Sequence, residues 1–191
     1  MNKSYYYYLG GVALLGLVWW RRQDVANVGS EIMATLSRSQ FIDKYGPYAR
    51  QATEGTLLFP SVMLAQAILE SNNGNSLLTR EAFNFFGIKA DKSWLNAGKP
   101  YVSKQTTEYV DGEPVVIVGK FRKYSNPTES FKDRNNFLLS NSRYTKAGVF
   151  SAKTPEEQAR ALQTAGYATD PNYSTLLIKL INQNNLKQFD S

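Results

Sequence analysis

Chemistry near neutral pH needs a group that can give or take a proton there, and this chain offers few. Its 191 residues include no His and no Cys. Imidazole acid–base catalysis, Ser-His-Asp triads, thiolate nucleophiles and metals held by His or Cys are therefore excluded, as are disulfides and Cys-linked lipid. Asp, Glu, Tyr, Lys or a carboxylate-bound metal remain. Among the 16 acidic residues, Glu70 is set apart by its surroundings. It closes a strongly apolar helical pattern in PSVMLAQAILESNNG, Pro60 to Gly74, which then dissolves into Ser, Asn and Gly. On a helix its neighbours three, four and seven residues back are Ala67, Gln66 and Met63, so Glu70 points partly toward the apolar face. Partial burial raises a carboxyl pKa by disfavouring the charged form, and the negative end of the helix dipole acts in the same direction. Both effects favour a group that holds a proton at about pH 6–7, as a general acid must. A solvated Glu on a fraying last turn would have the same sequence, and at this level both readings stand.

A second acid, Glu108, lies in Thr106-Thr107-Glu108-Tyr109, just before Asp111-Gly112. Asp-Gly between two β-prone runs is a strong hairpin signal. A hairpin is therefore predicted over Lys104–Tyr124, with Thr106, Glu108 and Val110 alternating onto one face. A helix-end acid facing a hairpin acid across a cleft is the arrangement of two-carboxylate glycosidases. A solvent-facing strand Glu paired with a Lys is the plainer account. Glu113 is a nearby alternative at the exposed tip.

These acids have to be held by helices. The pattern predicts one from about Ser39, bent or restarted near Pro47, to about Glu54, with Gly55 as its stop. Pro60 suits the first turn of the next, which runs to Glu70 or Ser71. After the hairpin, a helix is predicted around Pro127–Ser140. Another starts at Thr154-Pro155-Glu156-Glu157, where Thr154 at the N-cap, Pro155 at N1 and Glu157 at N3 form a capping box, and it ends at Gly166. A last helix covers about Ser174 to Asn185. There is no internal repeat and no low-complexity tract. Helices, a small hairpin and helices again predict an α+β fold: a mostly helical lobe, a small β-hairpin lobe and a cleft between them.

The chain is 42% hydrophobic and 20% charged, the composition of a globular protein, with a formal charge of +6. The first 30 residues supply +2 of this (Lys3, Arg21 and Arg22 less Asp24), leaving about +4 for the rest. That excess favours an anionic partner such as nucleic acid, anionic lipid or an anionic cell wall. No Lys/Arg run in the body resembles a nucleic-acid stripe, so nucleic-acid binding is not expected. Tyr5 to Trp20, YYYYLGGVALLGLVWW, is an uncharged run of 16 residues. As a helix it would be about 24 Å long, a little short of the roughly 30 Å hydrocarbon core. Four Tyr at one end and two Trp at the other would sit at the two membrane interfaces. Arg21 and Arg22 follow directly and no clean small-x-small site comes after, which favours an uncleaved anchor over a signal peptide. Lys3 and the terminal amine balance the two Arg, so orientation is undetermined. The predicted organisation is an N-terminal transmembrane helix over 1–22, a linker over 23–36 and one domain over 37–191.

The stretch AQAILESNNGNS resembles the catalytic helix motif of glycoside hydrolase family 73, the peptidoglycan endo-β-N-acetylglucosaminidases of flagellar-rod and autolysin type. Further matches follow in order: Asn84-Phe85-Phe86-Gly87-Ile88-Lys89-Ala90; Thr107-Glu108; Phe121-Arg122-Lys123-Tyr124; Glu129-Ser130-Phe131; and Gly166-Tyr167-Ala168-Thr169-Asp170-Pro171-Asn172-Tyr173. The resemblance spans roughly residues 38 to 185. It implies a lysozyme-like fold and cleavage of the β-1,4 bond after N-acetylglucosamine in peptidoglycan glycan strands, without metal or cofactor. Glu70 matches the family's general acid. Glu108 matches its second glutamate, as base, as stabiliser of the cation-like transition state, or as a bystander to assistance by the substrate's N-acetyl group. Tyr167 matches a tyrosine near the acid that orients the sugar or its acetamide; a core tyrosine closing the last helices is the other reading. Asn84, Phe86, Tyr124 and Tyr173 are implied to line the cleft, aromatic faces stacking on sugar rings and Asn bonding the acetamide, while core packing accounts for each of them equally well. One departure is local: family members often have Gly-aromatic-Gly where this chain has Asn72-Asn73-Gly74, and Asn tolerates the left-handed backbone such an exit needs. The implied setting is a membrane-anchored domain facing the cell wall in the periplasm or at the cell surface, or one in the membrane of a phage virion. A lytic transglycosylase or muramidase of lysozyme-like fold, and a non-catalytic wall-binding protein of a membrane or virion assembly, are the competing readings.

Overall fold

The computed structural model describes residues 35–110 and 113–191. The Tyr5–Trp20 run, the linker through residue 34 and the Asp111-Gly112 turn lie outside the described residues. Among the described residues no helix is long and apolar enough to cross a membrane.

Helix α1 (Arg38–Thr53) opens on a reciprocal capping box. Ser37 Oγ accepts from the Gln40 amide at 3.2 Å, and Gln40 Oε1 accepts from the Ser37 amide at 2.9 Å. The helix carries Pro47 inside it and gives way to Gly55 at φ +70°. Helix α2 (Pro60–Ser71) has its proline at the first turn, as predicted, and is buried from Ser61 to Ile68. It runs through the centre of the helical lobe and packs against α1 and against the C-terminal elements.

Two short helices follow, α3 (Leu77–Ala82) and α4 (Lys92–Asn96). Strands β1 (Tyr101–Val110) and β2 (Glu113–Arg122) form the predicted hairpin, with Tyr101 opposite Arg122 and Val110 opposite Glu113. Its base is stitched to the 82–90 segment by backbone bonds: Ala90 N to Lys120 O at 2.9 Å, Arg122 N to Ile88 O at 3.0 Å and Tyr124 N to Ala82 O at 2.9 Å. Helices α5 (Pro127–Ser140), α6 (Ser142–Lys146), α7 (Pro155–Thr164) and α8 (Tyr173–Gln183) complete the helical lobe. A final 3-10 turn (Leu186–Phe189) lies against α1 and α2. Thr154 caps α7 as predicted, but the Glu157 carboxylate accepts from the Lys153 amide at 2.7 Å, one residue earlier than a capping box requires. The sequence pattern does not foretell α3, α4 or α6, since five or six residues are too few to display a helical period.

The ring of Phe189 in the 3-10 turn packs closely over Gly46 of α1. A methyl group on Gly46 would overlap the ring of Phe189. The substitution Gly46→Ala is expected to cost about 1–3 kcal/mol through this overpacking. Urea denaturation reads the loss, and an unchanged midpoint would show that the ring does not rest there.

Candidate active site

Glu70 reaches its position because α2 ends abruptly one residue later. Asn72, Asn73 and Gly74 take three successive left-handed conformations, at φ 52°, 55° and 76°. Asn is among the few non-glycine residues that adopt this region at low cost. A Cβ on Gly74 would lie 3.1 Å from the Phe41 ring, so that position requires glycine on two counts. The Asn72 and Asn73 amides both return to the Ile68 carbonyl. Ser71 Oγ donates to the Ala67 carbonyl and accepts from the Gly74 amide. The exit is also tied to the start of the domain: Asn75 exchanges two hydrogen bonds with the backbone of Leu36, at 2.8 and 2.9 Å, and Arg38 Nε donates to Asn73 Oδ1.

The Glu70 carboxyl group is half-buried. Desolvation pushes its pKa up from 4.5 to about 8, against the opposing effect of a hydrogen bond from Tyr173. The carboxyl is therefore a proton holder at neutral pH, the state that the apolar stripe on α2 predicts. Tyr173 Oη donates to Glu70 Oε1 at 3.2 Å and accepts from Gln66 Nε2 at 2.7 Å. Gln66 Oε1 in turn accepts from Arg134, from Nε at 3.1 Å and also from Nη2. Gln66, Arg134 and Tyr173 are fully buried. Tyr167 is fully buried as well and stacks on Tyr173, with ring centres 5.6 Å apart and planes 13° from parallel. Burial, and then the charge of Glu70, hold both tyrosines well above the usual phenol range. Among the described residues the Tyr167 hydroxyl has no hydrogen-bond partner.

Glu70, Tyr167 and Tyr173 thus come together, from α2, the α7–α8 turn and α8. Glu108 is carried by a separate element, on β1 opposite Val115, two pairs in from the end of the hairpin ladder. The remaining candidates are buried among protein partners. Asn84 is buried, and its amide is consumed by the backbone: Nδ2 donates to the Ile88 and Arg122 carbonyls, and Oδ1 accepts from the Ile88 amide. Asn84 therefore clasps the hairpin base instead of facing a ligand. Phe86 is fully buried, edge-on to Phe131 with ring centres 5.1 Å apart, and offers no face to a sugar. Tyr124 is buried against Trp94, and its hydroxyl donates to Asp133 at 2.7 Å. Tyr173 is fully buried and donates to the acid. Sequence reasoning assigns no role to Gln66 or Arg134. A glutamine inside an otherwise apolar helix, one turn before the acid, is the signal that marks the first. Arg134, 68 residues from Gln66, leaves none. Among the described residues no cluster of three or more acidic side chains could hold a metal ion.

A family model described as mannosyl-glycoprotein endo-beta-N-acetylglucosaminidase matches residues 46–186. The peptidoglycan hydrolase FlgJ of Salmonella typhimurium is 42% identical over 147 residues, which are 75% of this chain and 45% of that protein. A probable N-acetylmuramidase of Lactococcus lactis subsp. cremoris is 36% identical over 192 aligned positions, covering 96% of this chain and 42% of that protein. The chain spans less than half the length of either relative. Among solved structures, the catalytic domain of the autolysin Auto from Listeria monocytogenes superposes with a TM-score of 0.69 at 33% identity, over 91% of this chain and 97% of that one.

The raised pKa of Glu70 has a sign that unfolding experiments can read. The folded state holds the proton to about pH 8, whereas the unfolded chain releases it near 4.5. Stability is therefore highest below the unfolded value and declines as pH rises through this window. In Glu70→Gln the group no longer ionises and the decline from this site disappears. The variant should gain on the parent between about pH 5 and pH 8.5, by on the order of 1–3 kcal/mol after allowance for partial exposure. Denaturant midpoints at the two pH values measure it, and an equal gap at both would show that Glu70 titrates normally.

Proposed function

The chain belongs to the glucosaminidase family, glycoside hydrolase family 73, and on that premise we propose that it is a peptidoglycan hydrolase cutting the β-1,4 bond after N-acetylglucosamine in the glycan strand. The observation that carries this reading is a carboxyl group at a helix end, kept protonated to about pH 8 by desolvation. Glu70 passes its proton to the glycosidic oxygen as the bond to the anomeric carbon breaks. Water then adds to that carbon and its proton is taken up by a base. Glu108, carried on the hairpin, is the second carboxylate, serving as that base or stabilising the positive charge that develops at the anomeric carbon. The alternative to a fixed second carboxylate is the substrate's own acetamide. The unpaired hydroxyl of Tyr167 is a donor suited to orienting that acetamide, because a buried hydroxyl without a partner costs about 1–3 kcal/mol until something bonds it. The mechanism needs no metal or cofactor.

Tyr5–Trp20 anchors the domain in a membrane, leaving the lytic domain toward the wall, in the periplasm, at the cell surface or on a virion membrane. Leu36, the last residue of the proposed linker, is already bonded to Asn75 of the domain. Membrane fractionation of the full chain against one lacking residues 1–22 tests the anchor, and equal solubility of the two would remove it.

One relative favours a second bond. The Lactococcus protein is named as a probable N-acetylmuramidase, and a muramidase or lytic transglycosylase can use the same helix-end acid. Digestion of purified peptidoglycan followed by reducing-end analysis decides. New N-acetylglucosamine ends support the glucosaminidase, N-acetylmuramic ends transfer the cut to the other bond, and anhydro-muramic ends mean transglycosylation. Absence of lysis by the parent protein would leave a wall-binding role. Glu70→Gln is expected to lower wall lysis by at least about a hundredfold with its circular dichroism unchanged. Lysis above a few per cent of the parent rate would take the acid role from Glu70.

A further inference from the structure

The buried chain Arg134–Gln66–Tyr173–Glu70 has a direction that its chemistry imposes. Arginine carries only donors. The Gln66 atom facing the guanidinium is therefore its carbonyl oxygen, bonded from Nε at 3.1 Å and from Nη2. That choice turns the amide nitrogen to Tyr173, whose oxygen accepts at 2.7 Å. The tyrosine then has its own proton to place, and it goes to Glu70 Oε1 at 3.2 Å. The carboxyl oxygen that receives a hydroxyl proton is not the one that carries the acid proton. On these grounds we propose that Gln66 and Arg134 are positioning residues for the proposed general acid: acting through Tyr173, they confine the Glu70 proton to Oε2 and hold a donor aimed at the carboxylate left behind when that proton is given up.

The geometry supplies what such a device needs. The donor to Oε1 is in place before the reaction, so the charge that forms on Glu70 meets an oriented dipole without reorganisation. A buried cation at the far end polarises each bond toward the carboxylate. Arg134 is anchored in turn, through Nη1 to Asn135 Oδ1 at 3.2 Å and from Asn135 Nδ2 to the Ala52 carbonyl at 2.7 Å. Among the described residues no carboxylate forms an ion pair with Arg134, so its field is not cancelled nearby. The titratable groups around Glu70 are Tyr173 and Tyr167, with Tyr144, Arg143 and Arg134 behind them, while Arg38 of α1 reaches the exit turn at Asn73. Only Tyr173 bonds the Glu70 carboxyl group among the described residues.

The proposal rests on Glu70 being the acid, and Gln66→Glu separates it from a purely structural network. A carboxylate at 66 keeps an oxygen on Arg134 and gains an ion pair, so a structural role would be preserved. It has no N–H for Tyr173, whose hydroxyl then turns toward residue 66 and leaves Glu70. The expected result is at least about a tenfold loss of kcat on soluble glycan fragments with KM within about threefold. The alkaline limb of kcat/KM should move upward by about half a unit or more, since the ionised form of Glu70 has lost its donor. Tyr173→Phe should move the limb in the same direction with the Arg134–Gln66 contact intact, and it serves if Gln66→Glu does not fold. The Glu70 carboxyl carbon, followed by NMR through a pH titration, reports the same shift without any turnover. A loss of lysis in Glu70→Gln with no shift of that titration in either variant would overturn the relay and spare the acid. Full lysis in Glu70→Gln would overturn the acid itself, whatever the titration shows.

Discussion

The guanidinium of Arg134 is fully buried in the helical lobe, with no carboxylate among the described residues to meet it, and the fold around it is shaped by the need to satisfy that charge. A buried cation without hydrogen bonds would be costly by many kcal/mol. Its donors go to the side-chain oxygens of Gln66 on α2 and Asn135 on α5, and Asn135 bonds the last turn of α1. Three helices are thereby fixed in register by polar contacts inside a core otherwise built from aromatic and aliphatic side chains. Burial holds the Arg134 pKa below its ordinary value. The same water-poor surroundings that make Arg134 expensive also make Glu70 reluctant to ionise.

A second arginine shows the contrast. Arg122, at the end of the hairpin, is paired with Asp91 at 2.8 Å and Asp133 at 2.7 Å and lies over the Trp94 ring at 4.6 Å. Its charge is consumed locally, and its task is to fasten the hairpin base to α4 and α5, together with the Asn84 clasp. Tyr124 joins the cluster through Asp133. Of the two arginines, the one paired with carboxylates supports the architecture. The one paired with a neutral amide keeps its field for its surroundings, and these include the acid.

Much of this is legible in the amino-acid sequence. Pro60 and the left-handed Asn72-Asn73-Gly74 exit delimit α2, Gly55 follows α1, Thr154 caps α7, and Asp111-Gly112 separates two strands, because each feature is enforced by local backbone chemistry. Glu70 was legible for the same reason, as its burial follows from helix periodicity over a dozen residues. What escaped depends on distant partners. Asn84, Phe86 and Tyr124 have residue types suited to a sugar-binding cleft, but tertiary packing buries them. Tyr173 lies 103 residues from Glu70, and nothing in its own neighbourhood says that its hydroxyl ends on the acid. Gln66 is an amide within a largely apolar helix, but its partner lies 68 residues away.

The bonds between Leu36 and Asn75 bear on how the domain withstands pull. Any tension in the chain that enters at residue 36 arrives at a two-bond clamp on the loop just beyond α2. That clamp is only part-buried, whereas the middle of α2 is enclosed on every side. Under tension the peripheral pair would part first, letting out a short length of chain while the helix beneath keeps its place. The clamp thus lies between the entering chain and the helix end, five residues beyond Glu70, and takes up a pull before the buried helix does.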